Sequence, residues 1–263
     1  MGYYDVKEIH TWLRSIRDPL DNAYCYLAIG DERALLFDTG HGIGDLRGEI
    51  AKITDKPVTV VLGHGHSDHV NGAFQFGEAW LHEADFDLYA RHASKKSRLR
   101  TLEGAEADGV ALPEGFDRDA YVNAGDVSLK KLAPGQVFDL GGLSMEVVGM
   151  EGHTAGSIGL LARERCMLFD SDSASAHVWL FLRESLPVSR YVAMLERVAG
   201  LDFDTFFIAH SGEPKPKSDF GRYINVARNI SLEKSKPYPV LPTFGGNLYS
   251  EGGAEIVFHK DKL

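Results

Sequence analysis

HGHSDH, residues 64–69, places three histidines and one aspartate in six consecutive positions. Imidazole nitrogens and carboxylate oxygens are the donors that hold metal ions. The run begins where KPVTVVLG (56–63), an apolar and β-branched stretch, stops; that stretch reads as a buried strand. In layered α/β folds the loops leaving the carboxyl ends of strands are where sites are assembled. On an extended backbone side chains alternate, so His64 and His66 can reach one ion and Asp68 continues on their side. His69 breaks the alternation and is placed for a second centre beside the first. Gly65 and Ser67 are small enough for an ion to approach the backbone. A surface loop of hydrogen-bonding histidines is the plainer alternative; four ligand-type residues in six favour coordination.

Outward from this loop, strands and helices alternate. NAYCYLAIG (22–30) and RALLFDTG (33–40) read as an antiparallel hairpin, and IGDLRGEIAKI (43–53) spaces Ile43, Leu46, Ile50 and Ile53 for one helix face. AWLH (79–82) reads as a strand and EADFDLYARHA (83–93) as a helix. From Lys95 to about Pro134 the pattern weakens, which suggests an inserted loop or lid within one domain spanning 1–263. Strands resume at GQVFDLGG, LSMEVVGM, SIGLLAR and CMLFDSD, followed by the helix PVSRYVAMLERVAGL and the strand TFFIAH. ALLFDTG (34–40) and CMLFDSD (166–172) echo each other and hint at two similarly built halves. Further ligand candidates also follow strands: His153 in GMEGHTAGS, Asp172 in LFDSDSAS and His210 in FFIAHSGE. Asp170 competes with Asp172, since the echo aligns Asp170 with Asp38 and residues two apart on a strand share a side.

Composition bounds the function. A chain of 263 residues, 44% hydrophobic, can bury a substantial core. With 28 basic and 38 acidic residues the net charge is −10, which gives no electrostatic reason to expect nucleic acid or a membrane as partner and leaves a small molecule as the expected one. Cys25 and Cys166 lie in apolar runs and read as buried thiols of a reducing compartment. The N-terminal stretch lacks the basic start and apolar core of a signal peptide, and no apolar run reaches the ~18 residues of a membrane span, so the reading is cytoplasmic. Oligomeric state is not legible.

The motifs resemble those of the metallo-β-lactamase superfamily: His-x-His-x-Asp-His at 64–69, Gly-His-Thr-x-Gly-Ser at 152–157, an acid after a strand, and a final His. The resemblance covers about residues 23–213 and includes LLFDTG (35–40). Gly63 stands where a threonine is common, and Ser171 where a glycine usually precedes the acid. The family's phenylalanine three residues before its acid matches Phe169, which favours Asp172. The resemblance implies a four-layer αββα sandwich. It further implies a first metal on His64, His66 and His153, a second on Asp68, His69 and His210, and Asp172 bridging. Zinc suits these donors, and iron or manganese accept them too. Asp38 resembles an acid that orients a ligand histidine.

The function so implied is a metal-dependent hydrolase: hydroxide held between two divalent ions attacks a small-molecule ester, lactone or thioester, with Asp68 as proton shuttle. The bridging acid argues against true β-lactamase activity. The short region after His210, ending in a strand-like EIVFHK, departs from the glutathione thioesterases. His66 departs from the flavin-linked diiron relatives, which carry glutamate there. A mononuclear iron thiol or persulfide dioxygenase of the same fold, or a non-catalytic metal-binding relative, are the rival classes. Arg183 and Arg190 in HVWLFLRESLPVSR (177–190) are candidates for a pocket wall, and Lys215 and Lys217 for an anionic substrate, although exposed charge is the default for all four. His10, His41, His82, His92, His177 and His259 read as ordinary histidines, His177 with least assurance because it closely follows Asp172.

Overall fold

The run VTVV at 58–61 does form a buried strand, and its neighbours show why it must. In the computed structural model, which describes residues 2–241 and 244–263, a seven-stranded sheet runs β1 (Asp5–His10), β2 (Leu13–Arg17), β3 (Tyr24–Ile29), β4 (Ala34–Phe37), β5 (Val58–Val61), β6 (Glu78–His82), β7 (Ser128–Leu132) in spatial order. β3 and β4 make the expected antiparallel hairpin, and β5 pairs parallel to β4 after a helical crossover, α1 (Leu46–Ile53). Side chains alternate across β4: Leu35 and Phe37 belong to the core between the sheets, whereas Ala34 and Leu36 pack with Leu46 and Ile50 of α1. Asp45 starts α1 by accepting from the Gly48 N–H at 2.8 Å, a cap worth ~1 kcal/mol.

A second sheet holds β8 (Val137–Asp139), β9 (Ser144–Gly149), β10 (Ile158–Ala162), β11 (Met167–Phe169), and, after β12 (His177–Leu180) has departed, β13 (Thr205–Ile208) and β14 (Ser211–Pro216); its order is β14-β13-β11-β10-β9-β8. Its inner face gives Met145, Val147, Ile158, Leu160, Phe169 and Phe207 to the shared core. Its outer face, Val148, Leu161, Leu168 and Phe206, is covered by two helices, Val188–Ala199 and Asp219–Arg228. The first of these buries Tyr191, Met194, Leu195 and Val198; at ~1.5–3 kcal/mol for a large apolar side chain, that stripe anchors it. The result is the four-layer αββα sandwich. β10–β11–helix–β13 repeats the antiparallel hairpin and parallel crossover of β3–β4–α1–β5, so the echoed heptapeptides occupy equivalent strands.

Beyond the four layers, β12 joins β15 (Lys236–Leu241), β16 (Phe244–Glu251) and β17 (Ala254–Phe258) in a third sheet ordered β12-β17-β16-β15. EIVFHK thus enters a strand as expected. The segment from 95 to 134 is more regular than its pattern suggests: it contains helices Lys95–Ala107 and Arg118–Val122, and β7, which pairs parallel to β6. Its apolar periodicity is weak because the long helix buries only Arg98, Leu102 and Ala105. Leu102, Ala105 and Tyr121 pack with Leu20 and Ile43. Cys25 is buried in β3, but Cys166 is only half-buried, since it ends a turn at φ 49° before β11 begins. Among the described residues no helix is long and apolar enough to cross a membrane.

Candidate metal centre

Five strands deliver the site. β4 leads to Asp38, β5 to His64–His69, β9 to His153, β11 to Asp172 and β13 to His210. β9 and β11 are both antiparallel to β10 and so run the same way, and β4–β5 and β11–β13 are parallel pairs. Their carboxyl ends therefore open on one edge of the sandwich. Side-chain alternation holds only as far as His66, because a helical turn, Ser67–Val70, begins there. This turn carries Asp68 away from His64 and His66 and puts it beside His69, correcting the placement drawn from strand periodicity. Asp85 ties the two loops that bear His64, His66 and His153. Buried, it accepts from Gly65 N–H (2.9 Å), Gly156 N–H (2.9 Å) and Thr154 Oγ1–H (2.7 Å). A Cβ on Gly156 would lie 2.6 Å from the Asp85 carboxyl carbon, so only glycine admits this clamp.

All seven residues singled out by the motifs come together, in two groups: His64, His66 and His153; and Asp68, His69, Asp172 and His210. In the first, His66 Nδ1 lies 2.9 Å from His64 Nε2 and 3.0 Å from His153 Nε2. In the second, His69 Nε2 is 3.2 Å from Asp68 Oδ2 and 3.4 Å from Asp172 Oδ2, and His210 Nε2 is 3.3 and 3.4 Å from the same two oxygens. Asp170 is fully buried and belongs to neither group. Its burial, with the charge of Asp172, pushes its carboxyl well above the usual carboxylate range.

The far nitrogen of every one of these histidines faces an acceptor. His66 Nε2 is 2.9 Å from Glu184 Oε1, His69 Nδ1 2.9 Å from Asp38 Oδ2, His153 Nδ1 2.8 Å from the Trp179 carbonyl and His210 Nδ1 3.1 Å from the Asp21 carbonyl. His64 Nδ1 is 3.2 Å from Ser171 Oγ, whose own proton goes to Asp38. Carbonyl and carboxylate oxygens only accept, so protons belong on the far nitrogens; in the first group, where no carboxylate stands inside, the near nitrogens then present lone pairs to one another. Three lone pairs converge there with no donor among them, an arrangement suited to a cation. His69 Nε2, buried among carboxylates, makes no hydrogen bond. The residues present therefore fit divalent ions.

Burial and neighbouring charge push the two groups in opposite directions. Burial holds His64 well below the ordinary histidine value and His153 at about 4, with neighbouring imidazoles adding to the effect. Burial opposes charge on Asp68 and Asp172 too, but His69 and His210 outweigh it and hold both carboxyls low. Conversely, the charge of Asp172 lifts His210 to about 11, and Asp68, Asp172 and Asp38 overcome burial to raise His69.

The family profile described as the metallo-beta-lactamase superfamily matches residues 18–210. The chain belongs to that superfamily. An acyl-coenzyme A thioesterase, MBLAC2, from Bos taurus is 30% identical over 196 residues, covering 69% of this chain and 68% of the relative. A hydroxyacylglutathione hydrolase, GloC, from Haemophilus influenzae is 26% identical over 150 residues, 56% of this chain and 65% of that one. Among solved structures, an archaeal metallo-beta-lactamase superfamily protein from Sulfolobus tokodaii shares the fold with a TM-score of 0.56 at 20% identity, covering 89% of this chain and 91% of that one.

β12 and the loop after it stand beside the ligand-bearing edge of the sandwich. A cavity of about 750 Å³ opens over Asp68, His153, Asp172 and His210, with Val178, Trp179, Leu182, Ile208 and Tyr238 as its apolar side. Part of the stretch 177–190 lines this cavity, but Arg183 and Arg190 are exposed, the default for such charges, and do not line it; neither do Lys215 and Lys217. Lys217 instead donates to the Leu201 carbonyl and sits over the Phe203 ring. Two residues that the sequence did not single out as ligands or pocket wall are Glu184 and His92. Both line the cavity and lie with His66 in a third ligand-type group. Because Glu184 takes the Nε2–H of His66, this group serves as outer support of His66. Its contact with His66 holds the Glu184 carboxyl, against its burial, at about 2. A lone acid in an apolar stretch has no motif to announce it. His177 lines the cavity as well, held between Glu255 and the Trp179 indole N–H. His41 is buried against Asp21, and His10, His82 and His259 stand apart from the site.

Proposed function

We propose that the protein is a hydrolase of small-molecule thioesters, with esters and lactones in the same reach, working with two divalent metal ions. The observation that carries this is the set of imidazoles whose outer nitrogens are all tied to acceptors and whose inner nitrogens converge at the head of an apolar cavity. His64, His66 and His153 would hold one ion, Asp68, His69 and His210 the other, with Asp172 shared. Zinc fits this nitrogen and oxygen set, as do iron and manganese. Bound there, such ions supply Lewis acidity toward a carbonyl oxygen and an ionised water at neutral pH.

The chain's own residues do the rest. Trp179, Leu182, Val178 and Tyr238 offer an acyl chain a dry surface, and among the described lining residues there is no lysine or arginine to call for an anionic group there. Asp68 Oδ2, between His69 and His210, is held charged, which suits a ligand of the second ion and makes it a weak base; it would pass a proton to the leaving group only when not bound to that ion. The names of the relatives, an acyl-coenzyme A thioesterase and a hydroxyacylglutathione hydrolase, support the thioester over other acyl compounds. The test is a panel run on metal-saturated enzyme: acyl-coenzyme A and hydroxyacylglutathione thioesters, an aryl ester, a lactone and a chromogenic cephalosporin, with oxygen uptake on thiols followed in parallel. Thioesters are expected to be turned over best. Best turnover of the cephalosporin, or oxygen uptake alone, would overturn the reading.

A further inference from the structure

Ser171 stands in the left-handed backbone region at φ 56°, which residues other than glycine enter at a cost. Its hydroxyl is in use. Oγ donates to Asp38 Oδ2 at 2.9 Å and lies 3.2 Å from His64 Nδ1; Asp38 Oδ2 is in turn 2.9 Å from His69 Nδ1. A hydrogen-bonded chain therefore runs His64–Ser171–Asp38–His69, with one imidazole from each ligand group at its ends and all its members buried. Asp38 is itself left-handed at φ 64°, and its other oxygen accepts from the Gly63 N–H at 2.6 Å. Backbone cost is thus borne at both inner members of the chain, as expected where geometry at a functional site is being held.

Gly63 explains why the hydroxyl comes from residue 171. A Cβ built on Gly63 would stand 2.5 Å from both Cβ and Oγ of Ser171. One space is available between the two loops, and Ser171 fills it. The two positions at which the sequence departs from the motif pattern are thus in contact.

We propose that Ser171 is a positioning residue that couples the two ligand groups. Its hydroxyl accepts the Nδ1–H of His64, so that Nε2 faces the site, and by donating to Asp38 it keeps that carboxylate turned toward His69. This rests on the two-group reading of the site, but what it asserts is a tautomer and an orientation, which can be read without turnover. A merely structural turn residue would behave otherwise: at φ 56° glycine is the better choice, so Ser171→Gly would stabilise the fold and leave the histidines as they were.

The experiment compares Ser171→Ala, Ser171→Gly and the double variant Gly63→Ser/Ser171→Gly with wild type. Histidine ring nitrogen resonances of the metal-free proteins report the His64 tautomer, and competition with a chelator reports how tightly zinc is held. Ser171→Ala and Ser171→Gly are expected to release His64 from a single Nδ1–H tautomer and to hold zinc about 10- to 100-fold more weakly, the range for lost outer partners of ligands. Ser171→Gly should do so with a melting temperature at or above that of wild type. The double variant should return a hydroxyl to the same space and recover the tautomer and part of the affinity. An unchanged His64 tautomer in Ser171→Ala, or a double variant no better than Ser171→Gly, overturns the proposal. If wild type held no zinc, the hydrolase reading would fail, and the tautomer comparison would still decide the role of Ser171.

Discussion

His64 and His69 have ring centroids 4.0 Å apart, yet burial and neighbouring imidazoles keep the first neutral while Asp68, Asp172 and Asp38 draw the second into its charged form. The same contrast separates His153, held at about 4 by burial, from His210, lifted to about 11 by Asp172. One group is an acceptor triangle without a carboxylate; the other sets imidazoles against carboxylates of opposite charge, with His69 Nε2 left without a hydrogen bond. The lesson is that two ligand groups on one sheet edge can be prepared in opposite ways. The first offers lone pairs to a cation, and the second holds protons that a cation would have to displace.

Breaking the contrast by removing ligands should give the largest effects. Asp172→Ala removes the carboxylate that both His69 and His210 approach. It is expected to lower metal content by about one equivalent from the ~2 expected of a two-ion site. Thioesterase kcat/KM should fall on the order of 10⁴-fold, as for a member of a catalytic unit. Asp170→Asn is the control, since a buried carboxyl already pushed toward neutrality loses little as an amide. Elemental analysis of both variants checks this; equal metal loss would mean that Asp170 shares the ligand role.

Protons sharpen the contrast next. Filling the second group must displace protons from His69 and His210, whose values are raised, so its affinity should weaken as pH falls, whereas His64 and His153 have none to give near neutrality. Calorimetric titration of metal-free protein in buffers of different ionisation enthalpy should show proton release for one binding step only. Stability of the metal-free protein carries both signs. Between about 4 and the unfolded value near 6.5, the unfolded chain binds the His153 proton and the folded one does not, so stability falls as the pH drops through that window. The His210 contribution is complete below ~6.5 and is lost as the pH rises toward about 11.

Outer partners should matter less than ligands, and each for its own group. Glu184→Gln, acting on His66, and Asp38→Asn, acting on His69, should each weaken metal binding about 10- to 100-fold, the first in the histidine group and the second in the mixed one. Competition with a chelator, resolving two dissociation steps, would show whether each loss stays in its group. Smallest of all, Arg183→Ala and Arg190→Ala should change kcat/KM by no more than about twofold, because exposed side chains away from the cavity carry little. A large rise in KM for an anionic thioester would instead bring those arginines into the site.

Much of this molecule was determined by sequence alone, wherever the physics is local. Strands 24–29, 34–37 and 58–61 announce themselves because strands largely buried between layers are mostly apolar or β-branched. The seven ligand-type residues announce themselves because imidazoles and carboxylates packed into short post-strand loops have few other uses. Tertiary structure decided what depends on partners distant in the chain. That Asp172 and not Asp170 stands beside His69 and His210, 103 and 38 residues from it in sequence, is a fact of the fold. The side on which Asp68 lies was set by a helical turn that strand periodicity cannot foresee. The bridge from Ser171 to Asp38 spans 133 residues, and the contact from Glu184 to His66 spans 118. A hydrogen bond of that kind leaves no period and no motif in the sequence, because it is made by how two sheets close on one another and not by either segment's own preference.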